Sequence, residues 1–233
     1  MTAMITAIVP AAGIGSRMQA DRPKQYLSLL GKSVLEHTVD KLLRHPNIDQ
    51  VVIAVSAEDP YYAQLSLTQH PRVTSVVGGG ERADSVLSAL DYVHHHMHSE
   101  WVMVHDAARP CVQLSDITRL IETAISHEVG GILATPVRDT MKRSGPNNTI
   151  DHTVERLALW HALTPQMFRC DALFTILSDA LQQGVTLTDE ASAFEWRGAQ
   201  PALVAGRSDN IKITQPEDLA LAEFYLRRNK EST

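Results

Sequence analysis

The chain alternates short apolar runs, rich in β-branched residues, with longer segments of helical periodicity. The apolar runs are ITAIVPA, QVVIAVS, RVTSVVGG, WVMVHDAA, GGILATPV and QPALVAG. The helical segments are VLEHTVDKLLRH, a stretch with Ala83, Val86, Leu90 and Val93 on one face, residues 115–128, and CDALFTILSDALQQG. Such alternation is typical of βαβ units, which bury a parallel sheet between two layers of helices. It therefore predicts an α/β fold with a mainly parallel sheet and helices on both faces.

The chain length favours one domain. With 233 residues, a single globular domain can bury a substantial core, so we expect one domain over residues 1–233. Gly184 is expected to end the helix before it. Thr214 and Glu217 have the spacing of a capping box, which predicts that they open the last helix.

Residues 138–160 interrupt the alternation. The segment is polar, and Gly145-Pro146-Asn147-Asn148 is a turn signal between two plausible β arms. A hairpin of this composition has little apolar surface with which to pack on its own core. We therefore predict an inserted β arm over 138–160 that protrudes and contacts another subunit.

The charge balance argues against a nucleic-acid partner. The chain has 21 Lys and Arg against 27 Asp and Glu, a net charge of −6, whereas nucleic-acid binders normally carry a basic excess. No apolar run approaches the roughly 20 residues of a membrane span, and the amino terminus has no signal-peptide pattern, so we expect a cytoplasmic protein without a membrane partner. If such an acidic chain binds polyphosphate, it must concentrate positive charge locally or recruit a divalent cation.

Cysteines and histidines give no metal signature. Cys111 and Cys170 lack CxxC spacing, so they predict neither a zinc site nor a disulfide framework. His94 and His98, within the run HHHMH, have the i, i+4 spacing of a helical metal site. Zinc needs a third ligand, however, and the run ends a helix in a polar stretch, so we interpret these residues as surface histidines.

The segment VPAAGIGSRMQADRPKQY is the first candidate binding loop. Met18 stands where the dinucleotide fingerprint needs its third glycine, and the Walker spacing does not occur. What remains is Ala11-Ala12-Gly13-x-Gly15 after a strand, whose backbone N–H groups can form an anion nest. Arg17 and Lys24 can then meet the outer phosphates. The loop predicts a phosphate site; the alternative is an ordinary βα turn with solvated cations.

Five motifs together resemble a known family. They are PAAGIGSRM…PKQY, GGGERADSV, VHDAARP, TDEAS and NIKIT, and they cover nearly the whole chain. In this order and spacing they resemble the 2-C-methyl-D-erythritol 4-phosphate cytidylyltransferases of the non-mevalonate isoprenoid pathway. The resemblance implies a Rossmann-like α/β sheet whose protruding β arm builds a homodimer. It also implies that CTP and 2-C-methyl-D-erythritol 4-phosphate are joined into 4-diphosphocytidyl-2-C-methyl-D-erythritol, with release of pyrophosphate.

The resemblance supports roles for individual residues. Catalytic roles, as cations for the transferred and departing phosphates, fall to Arg17, Lys24 and Lys212. Nucleotide-binding roles fall to Pro10, Ala11, Ala12, Gly13, Gly15, Gly79, Gly80 and Ser85. Some relatives carry Asp at the position of Gly80. Recognition of cytosine by main-chain atoms would not depend on which of the two residues is present.

The acceptor substrate is assigned to a second set of residues. Matching positions are Asp106, Arg109, Thr140, Arg156 and Thr188, with Asp189 beside the last. Asp106 directly follows a buried strand, where open α/β sheets bind ligands, and it is also the predicted ligand of Mg²⁺, for which Mn²⁺ is a possible substitute. Read without the family, Asp106 suits an Asx turn or helix cap and Thr188 a helix N-cap.

Two other functions compete. One is a nucleotidyltransferase that uses ribitol 5-phosphate or a sugar 1-phosphate, and Thr140, Arg156 and Thr188 favour methylerythritol phosphate over these acceptors. The other is a regulatory module that binds CTP without turnover. The joint presence of Arg17, Lys24 and Lys212 argues against it, because a sensor need not stabilise a leaving pyrophosphate.

Overall fold

The structure is a computed structural model that describes residues 4–13, 18 and 20–231. Its strands are β1 (Ile5–Pro10), β2 (Ser28–Leu29), β3 (Lys32–Ser33), β4 (Ile48–Val55), β5 (Val73–Val77), β6 (Trp101–Val104), β7 (Gly130–Pro136), β8 (Met141–Ser144), β9 (Ile150–Val154), β10 (Trp160–Arg169) and β11 (Ala202–Ala205). Its α-helices are α1 (Val34–Arg44), α2 (Arg82–His96), α3 (Leu114–Ser126), α4 (Cys170–Gln182), α5 (Glu190–Trp196) and α6 (Pro216–Glu231).

Seven strands form the central sheet, in the order β11-β7-β10-β6-β1-β4-β5. All neighbours in it are parallel except β10, which runs antiparallel to both β6 and β7. The predicted α/β fold with a mainly parallel sheet is thus confirmed.

Two apolar cores lie on the two faces of the sheet. Because successive side chains of a strand point to opposite faces, Val9 of β1 joins one core while the neighbouring Ile8 joins the other. The first core contains Leu35 of α1 and Ile117 of α3, and the second contains α2, α4 and α5 side chains such as Leu90. Helices therefore cover both faces, as the alternation predicts.

Strand β10 has no counterpart among the predicted elements, although it lies in the middle of the sheet. Pro165 falls inside it, and a proline cannot donate to the ladder, which argues against a central strand in sequence reasoning. The pairing of β10 with β7 shifts register between Ala162 and Gln166, the interval that contains this proline. The interrupted ladder therefore accommodates Pro165 inside the sheet.

The start of the last helix differs from the prediction. Helix α6 begins at Pro216, and the described contacts contain no capping box between Thr214 and Glu217. Asp218 serves instead: its Oδ2 accepts hydrogen bonds from the backbone N–H groups of Thr214 and Gln215, each at 2.8 Å. The predicted box was wrong because the helix starts later than the Thr-x-x-Glu spacing implies.

The segment 138–160, predicted to form an arm, contains a hairpin, although its last residue, Trp160, begins β10 of the central sheet. Strands β8 and β9 pair antiparallel around a short 3-10 turn at Pro146–Asn148. Its apolar side chains face outward: Ile150 is 67% exposed, and Leu157, just beyond β9, is 85% exposed. Within residues 4–13, 18 and 20–231, no helix combines the length and apolar character that crossing a membrane requires.

Candidate active site

A cleft of about 280 Å³ lies at the carboxyl ends of the parallel strands. Loops that follow β1, β5 and β6 line it, together with Lys24 and Lys212. In open α/β sheets, ligands bind at this edge. The cleft gathers the predicted residues Pro10, Ala11, Ala12, Gly13, Lys24, Gly79, Gly80, Ser85, Asp106 and Lys212. The predicted residues Gly15 and Arg17 lie outside the described residues.

The loop after β1 is held by a buried glutamine. Gln25 Nε2 donates to the carbonyl oxygen of Ala11 at 2.6 Å and to that of Gly13 at 2.9 Å. The backbone N–H of Ala11 donates to Ala54 of the neighbouring strand. Because Gln25 follows Lys24 directly, the anchor that shapes the glycine loop also brings Lys24 to the cleft. The sequence motif contains Gln25 but gives no signal of this anchoring contact.

The turn before α2 needs its glycines for close approach. A Cβ added at Gly78 would lie 2.8 Å from the Cβ of Ala12, and one added at Gly79 would lie 2.3 Å from the Cβ of Asp84. At Gly80 the nearest atom would be 3.9 Å away, so this position has room for a side chain. Ser85 is buried, and its Oγ accepts from the Gly79 N–H at 3.2 Å, which fixes the turn.

The segment that carries Lys212 is tied to the loop after β6. The N–H of Ile213 donates to the carbonyl of Ala108 at 2.9 Å, and Arg109 donates through Nη1 to the carbonyl of Asn210 at 2.7 Å. Lys24 Nζ donates to the carbonyl of Ile213 at 2.8 Å. These bonds bring two lysines, 188 positions apart in the numbering, to one side of the cleft.

Asp106 is the electrostatic centre of the cleft. Its Oδ1 accepts from Arg82 Nε at 2.9 Å, and its Oδ2 lies 2.9 Å from Lys212 Nζ and 3.5 Å from Arg109 Nε. Burial by itself would raise the pKa of Asp106, but the charges of Arg82, Lys212 and Arg109 outweigh it and hold that pKa well below its usual range. The carboxylate therefore stays ionised and orients the cations around it.

No prediction from the sequence covered Arg82, which lines the cleft, or Glu190, its buried partner. Arg82 donates to Glu190 through Nη1 at 2.7 Å and Nη2 at 3.2 Å, and it also binds Asp106. Burial by itself disfavours the charge on Arg82, but Glu190 and Asp106 outweigh that cost and raise its pKa. A signal existed, because a cation in the first turn of a helix opposes the helix dipole and so calls for a specific partner.

A buried polar network fixes the backbone of Asp106. Its N–H donates to Thr164 Oγ1 at 3.0 Å, and the Thr164 hydroxyl lies 2.9 Å from His105 Nδ1. His105 Nε2 lies 3.0 Å from the carbonyl oxygen of Arg109, which can only accept. Burial lowers the pKa of His105 to about 4, so the ring is neutral at pH 7. The ring then carries its proton on Nε2, which donates to the Arg109 carbonyl, and the Thr164 hydroxyl donates to Nδ1. Every polar group of this network thus has a hydrogen-bond partner.

Four predicted substrate residues do not line this cleft. Arg109 is buried behind Asp106, and Thr188 is exposed on the loop before α5. Thr140 and Arg156 line a separate pocket of about 290 Å³ on the arm, where Arg156 donates to the carbonyl of Arg138. The residues predicted to bind the acceptor therefore do not form a single site within one chain.

The alternative interpretation of Thr188 as a helix cap was wrong. Asp189 is the N-cap of α5, and its Oδ1 accepts from the N–H of Ser192 at 3.0 Å. The N–H of Thr188 donates to Ser192 Oγ at 3.2 Å, which leaves its own side chain out of the cap. An aspartate directly follows the threonine, and it occupies the position from which a side chain reaches the third residue of the helix.

Asp106 is a carboxylate, the kind of group that binds Mg²⁺, but both of its oxygens already contact cations in this structure. Mg²⁺ takes hard oxygen ligands and commonly uses one carboxylate together with substrate phosphates and water. Among residues 4–13, 18 and 20–231, no three metal-ligating side chains converge in the cleft, so phosphate oxygens would have to complete the shell. Lys212 is the most exposed of the three cations at Asp106, at 38% of its side chain against 29% for Arg82 and 11% for Arg109. It is the one that can turn toward a phosphate and release Oδ2.

Replacement of Arg82 by methionine should lower the free energy of unfolding by about 3–5 kcal/mol, because it leaves the Glu190 carboxylate, 2% exposed, without its partner. Urea denaturation measures this change. The double variant Arg82→Met/Glu190→Gln should recover much of the loss. As the control, Arg227→Met removes an exposed pair with Glu223 and should cost less than about 1 kcal/mol. Equal losses for Arg82→Met and Arg227→Met would contradict the role assigned to the buried pair.

Comparison with known proteins identifies the family. The family model of IspD, 2-C-methyl-D-erythritol 4-phosphate cytidylyltransferase, matches residues 5–228. A protein of that name from Vibrio cholerae is 72% identical over 98% of this chain and 99% of its own length, and one from Vibrio atlanticus is 69% identical over 97% of each. The crystal structure of the Francisella tularensis protein of that name has a TM-score of 0.82 and 35% identity, over 96% of this chain and 100% of its own. The chain therefore belongs to the 2-C-methyl-D-erythritol 4-phosphate cytidylyltransferase family.

Proposed function

We propose that the protein transfers the cytidylyl group of CTP to 2-C-methyl-D-erythritol 4-phosphate, with release of pyrophosphate, as a step in making isoprenoid precursors. The observation that carries this proposal is the basic cleft in a chain of net charge −6. Lys24, Arg82 and Lys212 line that cleft beside the glycine loop, and family membership supplies the substrates.

The reaction needs electrostatic help more than proton transfer. The phosphate of the acceptor attacks the α-phosphorus of CTP in line, and the bond from that phosphorus to the bridging oxygen of pyrophosphate breaks. A phosphate monoester loses its second proton with a pKa of about 6, so the nucleophile is mostly ionised at neutral pH. No general base is required. The barrier comes from bringing an anion to a polyanion, which preorganised cations lower.

Lys24 and Lys212 are the proposed catalytic cations. Each reaches the cleft from a different segment, and hydrogen bonds fix these segments to the loops that follow β1 and β6. In this proposal they stabilise charge on the α-phosphate and on the departing pyrophosphate, together with Arg17. Asp106 orients Arg82 and Lys212 before substrate binds. The more exposed Lys212 can then leave Asp106 and turn toward phosphate.

The glycine turn is the proposed cytosine site. The exocyclic amino group of cytosine needs acceptors, and backbone carbonyls of Gly79 and Gly80 can supply them. Ser85 fixes the turn from below. Because a main-chain site of this kind does not use a side chain at Gly80, it tolerates the difference from relatives that carry Asp.

Mg²⁺ is the proposed cofactor, with Mn²⁺ as a possible substitute. Asp106 would be its protein ligand, and phosphate oxygens and water would fill the remaining positions. When bound, the ion would neutralise phosphate charge. Lys24, Arg82 and Lys212 bind and orient the phosphates around it.

Turnover should stop in excess EDTA and return with Mg²⁺ or Mn²⁺, because the phosphates of CTP and of the acceptor together carry more negative charge than Lys24, Arg82 and Lys212 can neutralise. It should also prefer CTP over ATP, GTP and UTP, because the proposed main-chain site at Gly79 and Gly80 is a site for cytosine. A pyrophosphate-release assay that crosses the four nucleotides with methylerythritol 4-phosphate, ribitol 5-phosphate and a sugar 1-phosphate measures all three properties. Full turnover in EDTA would contradict the metal role, and equal use of ATP would contradict the base site. Faster turnover with ribitol 5-phosphate would point to the alternative acceptor.

The arm is the proposed dimer contact. Thr140 and Arg156 line a pocket on the hairpin rather than the cleft, and Ile150 and Leu157 are exposed beside it. We propose that two chains exchange contacts through residues 138–160, so that each arm brings Thr140 and Arg156 to the partner subunit's cleft. We also propose a cytoplasmic location without a nucleic-acid partner, which cell fractionation would test.

A further inference from the structure

A second cluster of polar side chains lies away from the cleft, where the end of α2 meets the start of α4. His94 Nδ1 is 3.0 Å from Asp171 Oδ1, and the ligand atoms of His94, Cys170 and Asp171 all lie within 4.8 Å of one another. Among the described residues this is the one group of three metal-ligating side chains found together. None of the three takes part in the proposed reaction.

The surroundings orient the cluster. The His94 ring stacks on Phe174, with centroids 4.5 Å apart, which fixes the plane of the imidazole. Cys170 is buried at the first position of α4, whereas the side chain of Asp171 is 88% exposed. The cluster therefore has an apolar back wall and one side open to water.

The three ligand atoms lie near enough to one another for modest side-chain shifts to bring them to the spacing that a bound metal ion requires. Zinc bonds of about 2.3 Å to sulfur and 2.0–2.2 Å to nitrogen or oxygen place tetrahedral ligand atoms roughly 3.4–3.7 Å apart. The His94–Asp171 pair would open by a few tenths of an ångström, and any pair at the 4.8 Å limit would close by about 1.2 Å. Side-chain rotations at an exposed aspartate and at a helix end can supply such shifts.

The donor set selects a soft or borderline cation. A thiolate, an imidazole and a carboxylate suit Zn²⁺, whereas Mg²⁺ prefers oxygen ligands alone. A cysteine thiolate and an aspartate carboxylate would also balance the two charges of the ion. We propose that His94, Cys170 and Asp171 form a three-ligand site for Zn²⁺, with water in the fourth position.

Binding requires one balanced step. The S–H bond of Cys170 breaks, a metal–sulfur bond forms, and the proton passes to solvent. Burial, with a smaller contribution from Asp171, raises the pKa of the thiol to about 11, so this proton loss weakens binding at neutral pH. The cost favours ions that bind thiolate strongly.

The site revises the interpretation of the histidine run. Helix α2 ends at His96, so His94 and His98 do not form a helical i, i+4 pair. Helix α4 supplies the other two ligands, Cys170 and Asp171, 76 and 77 positions after His94. An ion there would join the end of α2 to α4, while the start of α2 lines the cleft.

Titration of the tag-free full chain with Co²⁺ and Zn²⁺ tests the site directly and independently of turnover. Bound Co²⁺ should give a near-ultraviolet thiolate charge-transfer band, and Zn²⁺, measured by competition with a chelating dye, should bind one per chain. Cys170→Ser and His94→Gln should abolish the band and weaken Zn²⁺ binding by at least about 10–100-fold, the loss already typical of second-shell partners. Excess Zn²⁺ should raise Tm of the unmodified protein and not that of Cys170→Ser.

Matched controls separate this site from general histidine binding. Cys111→Ser removes the other buried thiol, and His96→Ala removes a ring of the same run that bonds to Tyr92. Both should keep the band and the affinity within about threefold. If Cys170→Ser fails to fold, Asp171→Asn at an exposed position provides the same test. Loss of binding in His96→Ala with none in Cys170→Ser would assign the metal to the histidine run and overturn the proposal. Absence of stoichiometric binding would overturn it as well.

Discussion

Replacement of Lys24 by alanine should lower kcat for cytidylyl transfer by roughly 100- to 1000-fold and change KM for CTP much less. One preorganised donor at developing charge typically contributes about 2.7–4 kcal/mol to the transition state. Lys24 meets the requirement of preorganisation, because its ammonium donates to the carbonyl of Ile213 and the next residue, Gln25, anchors the glycine loop. Arg17→Ala and Lys212→Ala should show the same pattern.

The split between kcat and KM distinguishes catalysis from simple attraction. A residue that only attracts CTP would raise KM and leave kcat unchanged. Lys32→Ala is the matched control, since Lys32 is a surface lysine paired with Asp40 and lies outside the cleft. Steady-state kinetics at saturating acceptor, with thermal melts to check folding, give the comparison. If Lys24→Ala and Arg17→Ala both turn over within a few-fold of the unmodified protein, the phosphate-loop assignment is wrong.

Heterodimers of Lys24→Ala and Arg156→Ala chains should recover about half of the unmodified activity, although each parent homodimer is nearly inactive. If the arm crosses to its partner, one cleft of the heterodimer combines Lys24→Ala with Arg156→Ala, and the other cleft has both native residues. If the arm serves its own chain, every cleft keeps one lesion. The dispersed positions of Lys24 and Arg156 within one chain make the first arrangement the expected one.

The measurement needs isolated heterodimers. Two different affinity tags on co-expressed chains allow purification of the mixed species, and tags without histidine avoid interference with the HHHMH run. Lys24→Ala mixed with Lys32→Ala chains is the control for the effect of mixing itself, and it should also give about half of the activity. Isolated heterodimers of Lys24→Ala and Arg156→Ala with no more activity than their parents would exclude sharing between subunits.

Local patterns in the sequence determined the fold class and the hairpin. The alternation of period-2 and helical segments depends on which side chains of each element must be buried, so it is readable without knowledge of neighbours. The polar segment 138–160 with its turn at Gly145-Pro146-Asn147-Asn148 likewise predicted the hairpin that β8 and β9 form. Motif order was sufficient to recognise the family. The resemblance assigned Lys24, Asp106 and Lys212 to the site, and all three line the cleft.

Tertiary structure alone decided which distant residues meet. Strand β10 enters the middle of the sheet in spite of Pro165, because the register shift there removes the need for its missing N–H. Arg82 and Glu190 are 108 positions apart, and they pair because the start of α2 and the start of α5 reach the same edge of the sheet. His94 meets Cys170 and Asp171 in the same way, through packing of α2 against α4. Local periodicity carries no information on strand order or helix neighbours, and these contacts depend on both.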